Sequence, residues 1–278
     1  MTDQQLQQTL RRTARSLRVG SVSYLNAKPL IYGLDTQPDL ELLLDLPANL
    51  LSGLDEGRFD VALLPVIDYQ RRSGLQLLPV GGIGSDGTTL TVRIFSRKPI
   101  GDIDELACDI DSHTSVALAT LILTERNGKR PRIVDLDTRS AGGLETTADA
   151  ILLIGDKVVS DEPTGWPHQL DLGAAWKELT GLPFVFACWT VRENVELGDL
   201  PARLTVARKA GLANLPRIVR EHAEPRGWPP DLAMQYLRDY LRFEIGPREL
   251  EAIQLFHHKA AEQGLIPREQ PLVIYPGK

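Results

Sequence analysis

Neutral hydrogen-bonding side chains follow the first predicted strand of the chain. The strand covers 17–22, and Ser23, Tyr24 and Asn26 come directly after it, before a helical pattern begins at Pro29. In an open α/β sheet such a loop lies at the carboxyl end of its strand, beside exposed helix amides that favour a carboxylate or a phosphate. The loop is therefore predicted to hold a small anion. An ordinary strand-to-helix connection capped by Asn or Ser is the alternative.

Hydroxyl side chains crowd the start of a second predicted helix. Ser112, Thr114 and Ser115 precede an apolar pattern that runs through Leu123. The simpler interpretation is that one of them caps the helix and the others are solvated. The functional interpretation is a carboxylate clamp made of free amides and two or three hydroxyls, with His113 as a helper.

A carboxylate is expected at the crevice that this helix also faces. The apolar strand 151–154 ends at Gly155 and Asp156, which places Asp156 at the carboxyl end of a central strand. Its role is open among a base, a group that orients another, and the N-cap of the turn that follows.

Neither a metal site nor a nucleotide site is predicted. His257 and His258 are adjacent and point to different faces of a helix, so they are interpreted as structural rather than as a chelating pair. The Gly-rich stretch 81–87 is interpreted as a turn; it lacks the Lys-Ser/Thr ending of a phosphate loop and precedes a strand. Cys108 and Cys188 stand in apolar contexts and indicate no disulfide framework. No cofactor is expected.

Composition and charge limit the partners. The chain has 278 residues, 42% of them hydrophobic, and a formal net charge of −6, which argues against a nucleic-acid surface. No secretory signal and no run of about 18 apolar residues is visible, so neither export nor membrane insertion is expected. A small acidic ligand and a reducing cytoplasm fit these features, whereas the oligomeric state is not predicted.

Alternating strand and helix patterns predict an α/β protein of two lobes with a cleft. Apolar strands separated by short helices indicate a parallel, covered sheet. The strands 88–95 and 182–191 are interpreted as crossings between the lobes, and the chain is helical from Pro201 nearly to its end. The predicted division is an N-terminal extension 1–16, a first lobe of 17–95 and 190–278, and a second lobe 96–189.

Six blocks of sequence resemble the menaquinone-biosynthesis chorismate dehydratases. They are Arg18–Leu30 (RVGSVSYLNAKPL), Asp60–Val66 (DVALLPV), Ile83–Gly87 (IGSDG), Ser112–Val116 (SHTSV), Ile154–Asp156 (IGD) and Thr180–Trp189 (TGLPFVFACW). The C-terminal third matches only in character, and His113 stands where relatives are expected to carry Arg. The resemblance implies a fold similar to type II periplasmic binding proteins, which the order of predicted elements also favours.

The resemblance further implies an enzyme of the futalosine route to menaquinone. Such an enzyme removes water from chorismate and forms 3-[(1-carboxyvinyl)oxy]benzoate, so that a ring carbon loses a proton, its neighbour loses hydroxide, and the ring becomes aromatic. Asn26 and Ser85 are then expected to position the substrate and hydrogen-bond its leaving hydroxyl. The substrate's own side-chain carboxylate is expected to take the proton, with Asp156 as the competing base.

The remaining predicted contacts are to the substrate. Ser112, Thr114 and Ser115 are assigned to the ring carboxylate under this resemblance. The other residues of the predicted binding set are Ser23, Tyr24, Gly155 and Asp156.

Three other functions remain as alternatives. A transporter's solute receptor shares the expected fold, but the missing signal peptide argues against it. A transcription-factor effector domain shares the fold too, but no helix-turn-helix segment is seen before the strand at Leu17. The dihydroxynaphthoate-forming enzyme of the same pathway differs in its cleft loops.

Overall fold

Two β-sheets form the framework of the protein in a computed structural model, which describes residues 16–109, 112–136, 146–160 and 163–276. The strands are β1 (Leu17–Ser21), β2 (Leu40–Leu44), β3 (Val61–Pro65), β4 (Leu75–Ser85), β5 (Val92–Ser96), β6 (Glu105–Asp109), β7 (Arg132–Leu136), β8 (Ala150–Ile154), β9 (His168–Asp171), β10 (Phe184–Arg192) and β11 (Leu241–Arg242). The predicted N-terminal extension lies outside the described residues except for its last residue, 16.

The helices are concentrated in the C-terminal part of the chain. The α-helices are α1 (Leu50–Asp55), α2 (His113–Asn127), α3 (Lys157–Ser160), α4 (Leu172–Thr180), α5 (Leu200–Ala213), α6 (Leu215–Ile218), α7 (Pro230–Gln235) and α8 (Pro247–Glu262). Two π-helical turns, Val219–Ala223 and Tyr236–Tyr240, interrupt the regions that the sequence predicts as continuous helix. Single 3₁₀ turns are Leu25–Ala27, Leu34–Thr36, Pro47–Asn49, Asp68–Arg71, Ile100–Asp102 and Glu224–Arg226.

Each sheet is mixed, with a parallel part and an antiparallel part. The first sheet has the order β11-β4-β10-β3-β1-β2, and the second has the order β7-β6-β8-β5-β9. In the first, β1 is parallel to β2 and β3, while β10 runs antiparallel between β3 and β4. In the second, β6 is parallel to β7 and β8, and β5 is antiparallel to β8 and β9. The predicted α/β class with two strand-rich parts is confirmed.

The chain changes sheets earlier than the predicted lobe boundaries would have it. Val92–Ser96 pairs with β8 and β9 of the second sheet, although the boundary at 95/96 assigns it mainly to the first lobe. Phe184–Arg192 pairs with β3 and β4 of the first sheet, although the boundary at 189/190 assigns it mainly to the second lobe. In both cases the crossing strand pairs in the sheet that it enters. The division into lobes as such stays a prediction.

The Gly-rich stretch is part of a long strand rather than a turn. Strand β4 continues through Ser85, against the predicted turn at 81–87. A Cβ at Gly82 would lie 2.6 Å from the Ala187 carbonyl oxygen, and one at Gly84 would lie 2.7 Å from the Phe184 carbonyl oxygen. The glycines therefore allow β10 to pack closely against β4, where the sequence pattern alone indicates a turn.

Aromatic packing fixes the second crossing. Trp176 of α4, Phe184 of β10 and Phe256 of α8 are buried and contact one another edge to face, with ring centroids 5.0–6.0 Å apart. Pairs of this geometry stabilise a fold by about 0.5–1.5 kcal/mol each beyond the area they bury. The cluster therefore holds β10, whose residues Phe186 and Ala187 reach the cavity described below. No helix among the described residues is long and apolar enough to cross a membrane.

Candidate functional site

A cavity lies between the carboxyl ends of β1 and β3 in the first sheet and the start of α2 in the second part of the chain. It measures about 650 Å³, counting the part that is open to solvent, which is within the usual range for a small-molecule site. Apolar side chains supply much of its wall. Its polar lining residues are Tyr24, Asn26, Thr89, Thr91, Ser112, His113, Thr114, Ser115 and Tyr236.

The cavity brings together most of the residues that the sequence selects. Those that line it are Tyr24, Asn26, Ser112, Thr114, Ser115 and Gly155. Ser23, Ser85 and Asp156 do not belong to its lining. Ser23 is exposed, and its carbonyl oxygen accepts a hydrogen bond from Arg226 at 3.3 Å. The two loops expected at one crevice, after β1 and at the start of α2, do meet there.

Asn26 offers an unpaired acceptor at the cavity wall. It lies in the 3₁₀ turn Leu25–Ala27, whose two flanking side chains Leu25 and Ala27 are buried and leave the Asn26 side chain directed to the cavity. Its Oδ1 is buried and accepts no hydrogen bond from any described residue. Buried acceptors without partners are rare in folded proteins, and a ligand that brings a donor would satisfy this one.

The other end of the Asn26 amide belongs to a hydrogen-bonded chain. The side chain bonds to the Tyr236 hydroxyl, and that hydroxyl lies 2.7 Å from Thr91 Oγ1. Because Oδ1 is unpaired, the donor to Tyr236 is Nδ2. Burial raises the pKa of Tyr236 well above its usual range, so the phenol stays neutral. The chain fixes the orientation of the amide, which leaves Oδ1 as the atom presented to a ligand.

The segment between β4 and β5 is held in an unusual conformation beside Asn26. Leu90 has a positive φ of 65°, a rare region for a branched residue. The Asp171 carboxylate accepts hydrogen bonds from the amides of Thr89 and Leu90 at 2.8–3.2 Å, and it also caps α4 through the Ala174 amide at 3.0 Å. Asp171 therefore positions Thr89 and Thr91, both of which line the cavity.

The N-cap residue of α2 provides no side-chain cap for the helix amides. Ser112 occupies the N-cap position, but its side chain makes no capping hydrogen bond. The interpretation in which one of these hydroxyls caps the helix is therefore wrong for Ser112. Thr114 Oγ1 instead accepts a hydrogen bond from the Ile67 amide at 3.3 Å, which ties α2 to the segment after β3. Free amides at a helix start favour an anion.

His113 contacts a buried carboxylate across the cleft, and the sequence did not single out that partner. His113 Nδ1 lies 2.9 Å from both carboxylate oxygens of Asp68, and the Asp68 side chain is fully buried. Arg71 Nε lies 3.2 Å from the same carboxylate. Asp68 comes three residues after the end of strand β3, at the edge of the crevice. This position is the sequence feature from which Asp68 could have been predicted as a site residue.

Ser85 lies behind the cavity wall. It is fully buried, and its Oγ has no hydrogen-bond partner among the described residues. A Cβ at Gly173 would come within 2.5 Å of that oxygen, so Ser85 packs against the first turn of α4. Its predicted contact with a leaving hydroxyl has no counterpart in the lining of the cavity.

Asp156 faces a basic cluster rather than the cavity. Its carboxylate lies 3.6 Å from Arg226 Nε, and the Leu25 amide donates a hydrogen bond to it. Burial raises the pKa of Asp156, and the charge of Arg226 and the Leu25 amide oppose that shift without cancelling it. Lys28 is also nearby, and its pKa is lowered, first by burial and then by Arg226. Asp156 thus links the end of β8 to the loop after β1.

The match to a family model identifies the family of the chain. A model described as menaquinone biosynthesis matches residues 17–262. The chain belongs to this menaquinone biosynthesis family. A similar protein is the chorismate dehydratase of Thermus thermophilus, 31% identical over 242 residues, which cover 80% of this chain and 87% of the relative.

Solved structures agree on the fold. Protein AF1704 from Archaeoglobus fulgidus has a TM-score of 0.71 at 16% identity, covering 90% of this chain and 98% of that one. The aliphatic sulphonate binding protein SsuA from Escherichia coli has a TM-score of 0.64 at 13% identity, covering 96% of both chains. A Candida albicans protein, CA3427, described as having the generic periplasmic binding protein fold, has a TM-score of 0.64 at 10% identity and covers 92% of both chains. The expected periplasmic-binding-protein-like fold is confirmed.

Proposed function

We propose that this protein is a chorismate dehydratase, a carbon–oxygen lyase of the futalosine route to menaquinone. It converts chorismate to 3-[(1-carboxyvinyl)oxy]benzoate and water. The proposal is supported by the family of the chain and by the name of its relative at 31% identity. We infer a cytoplasmic location and a small dicarboxylate as the partner, without nucleic acid, membrane or cofactor.

The observation that carries the proposal is the unpaired Asn26 Oδ1 at the cavity wall. A neutral acceptor suits the hydroxyl that chorismate loses, because it orients the hydroxyl without placing a negative charge against a substrate with two carboxylates. The hydrogen-bonded chain through Tyr236 and Thr91 keeps the amide in that orientation. Positioning of this kind contributes to catalysis without a dedicated acid or base.

The elimination balances without a carboxylate side chain among the described lining residues. The ring carbon that bears the ether loses its proton to the substrate's side-chain carboxylate, and the electron pair forms the new ring double bond. The neighbouring C–O bond breaks, and the departing hydroxide takes up that proton as water. The described lining contains neither Asp nor Glu, which supports the substrate carboxylate over Asp156 as the base.

The ring carboxylate belongs at the start of α2 in this arrangement. Ser112 and Ser115 present hydroxyls there beside uncapped helix amides, and Thr114 lines the same wall. Tyr24 and Gly155 pack together on another wall: a Cβ at Gly155 would lie 3.5 Å from the Tyr24 ring. Tyr24 therefore supplies a flat surface for the substrate ring. Ser23, Ser85 and Asp156 do not line the cavity, and their predicted contacts with the substrate stay predictions.

The test is to mix purified protein with chorismate and follow the reaction by absorbance and mass spectrometry. We expect an aromatic product that is lighter than chorismate by one water. No product, together with tight binding of another anion such as an alkanesulfonate, would contradict the proposal and favour a solute receptor. Formation of a dihydroxynaphthoate from its own precursor would favour the sister enzyme of the pathway.

A further inference from the structure

The cavity lining contains a single side chain that readily carries a positive charge. Among the described residues that line it there is no Lys or Arg, and His113 is the one imidazole. A substrate with two carboxylates gains little from neutral walls alone, because removing a charge from water requires a paired charge or several hydrogen bonds. The position of His113 at the first turn of α2 places it among the groups that would receive an anion.

Asp68 fixes the tautomer and direction of the His113 ring. Nδ1 lies 2.9 Å from both oxygens of the fully buried carboxylate. Arg71 Nη1 lies 3.3 Å from the same nitrogen, so the carboxylate is the closer partner, and we assign the proton on Nδ1 to the bond with Asp68. Nε2 has no hydrogen-bond partner among the described residues and is the ring atom left for a ligand. A carboxylate that holds one nitrogen of an imidazole sets what the other nitrogen does. Arg71, also paired with Asp68, adds a half-exposed cation to the same group.

We propose that His113, held by Asp68, is the cationic anchor for the ring carboxylate of the substrate. The inference rests on the proposed function and names the charged group of that site. His113 donates from Nε2 to the carboxylate, while Asp68 is a positioning residue that acts through the ring. The amides in the first turn of α2, which the Ser112 side chain does not cap, complete the anion site.

The His113–Asp68 pair also couples ligand binding to the contact between the segment after β3 and the start of α2. Asp68 follows β3 of the first sheet, whereas His113 begins the helix that follows β6 of the second sheet. The hydrogen bond from the Ile67 amide to Thr114 Oγ1 spans the same gap. A carboxylate bound at His113 therefore adds to a contact that already joins both walls of the cavity.

Steady-state kinetics with chorismate separate an anchor from a base. We expect His113→Gln to raise KM by about tenfold or more, the usual size of a lost charged contact, and to change kcat by less than about threefold. His113→Arg should stay within about threefold of the wild type in both constants. An unchanged KM in His113→Gln would overturn the anchor role. A large loss of kcat in both His113→Gln and His113→Arg would also overturn it, and would indicate that His113 acts as a base.

Rescue distinguishes the positioning role of Asp68 from a structural one. Asp68→Asn should raise KM because the ring loses the group that directs it. The double variant Asp68→Asn, His113→Arg should recover most of that loss, since a guanidinium is charged without help from a carboxylate. Failure of the recovery, with thermal unfolding of both variants normal, would overturn this part of the proposal.

A binding experiment keeps the inference independent of turnover. Calorimetry with 3-hydroxybenzoate and with its neutral analogue 3-hydroxybenzamide compares a carboxylate with a carboxamide in one shape. The wild type, His113→Arg and the surface control His258→Gln should prefer the carboxylate, and His113→Gln should lose about tenfold of that preference. If His113→Gln keeps the full preference, the anchor is wrong. If the wild type binds as expected but does not dehydrate chorismate, the proposed function fails while the anchor stands.

Discussion

Among single residues, Asn26 is the one proposed to orient the hydroxyl that chorismate loses. Its Oδ1 is a buried acceptor without a partner, and its Nδ2 is engaged by Tyr236. A buried acceptor of this kind is costly unless a ligand completes it. The absence of charge on Asn26 is as important as its hydrogen-bonding capacity, because the substrate is a dianion.

Substitution of Asn26 tests this directly. Asn26→Asp places a negative charge against the substrate, and Asn26→Leu removes both hydrogen-bonding atoms at similar volume. We expect each to lower kcat/KM by about 100-fold, the size measured for other lost positioning contacts in active sites. Asp156→Asn, outside the cavity lining, is expected to keep most of the dehydration rate. Initial rates of product formation measure all three.

Two outcomes would contradict this assignment. Full turnover by Asn26→Asp would show that a neutral amide is not needed at this wall. A complete loss of turnover by Asp156→Asn, in a protein that still unfolds at the wild-type temperature, would restore Asp156 as the base.

The residues predicted from a clear strand end or helix start do line the cavity, and their roles toward a substrate stay predictions. Tyr24, Asn26 and the hydroxyls at the start of α2 follow from the rule that loops at carboxyl strand ends line a crevice. The same rule does not predict that Asp68 and Tyr236 belong to the site. Their positions depend on contacts with His113 and Thr91, which are distant from them in sequence. Asp156 sits at the expected strand end, but the direction of its side chain was not predictable.

At the scale of elements, the close pairing of β4 and β10 builds the floor of the cavity. Ile83 from β4 and Ala187 from β10 line it and are paired with each other. The approach of the two strands depends on Gly82 and Gly84, where a Cβ would clash with main-chain oxygens of β10. A sequence pattern shows that glycine can form a turn, but it does not show that glycine allows two strands to pack closely. The turn predicted from residue 81 therefore ended β4 five residues before its observed end at Ser85.

Gly84→Ala tests this explanation. The added methyl group would lie 2.7 Å from the Phe184 carbonyl oxygen, so we expect the free energy of unfolding to fall by about 2 kcal/mol. Gly101→Ala is the matched control, since a Cβ there has no neighbour within 4 Å and its φ is ordinary. Urea unfolding of both variants measures the difference. Equal stability of the two would contradict a packing role for Gly84.

At the scale of the whole molecule, buried His257 joins the C-terminal helix α8 to the first sheet. Its Nε2–H donates to the Val66 carbonyl oxygen at 2.8 Å, and its Nδ1 accepts from Gln70 Nε2 at 2.7 Å. Both ring nitrogens are engaged in this neutral form. The structural role that the sequence indicates for His257 agrees with these contacts. Its partners Val66 and Gln70 are far from it in sequence, so a local sequence pattern does not predict them.

His257 predicts a pH dependence of stability. Burial lowers the pKa of His257 to about 4, from an ordinary value near 6.5, so protons bind the unfolded chain more readily. Its contribution is complete above about pH 6.5 and is lost as the pH falls towards 4, by on the order of 3 kcal/mol in total. Denaturant unfolding between pH 7 and 4 measures this slope. His257→Asn should flatten it, and an unchanged slope in that variant would contradict the assignment.

Chorismate dehydration in this cavity is tested by the rate of water loss from chorismate with the cavity open and with the cavity filled by a larger side chain. Ala187→Phe adds a ring at the cavity floor and leaves every proposed hydrogen-bonding residue unchanged in sequence. We predict that the wild type forms 3-[(1-carboxyvinyl)oxy]benzoate and that Ala187→Phe, folded by its thermal transition, is slower by about 100-fold or more. No product from the wild type, or an equal rate from the filled variant, would contradict chorismate dehydration in this cavity.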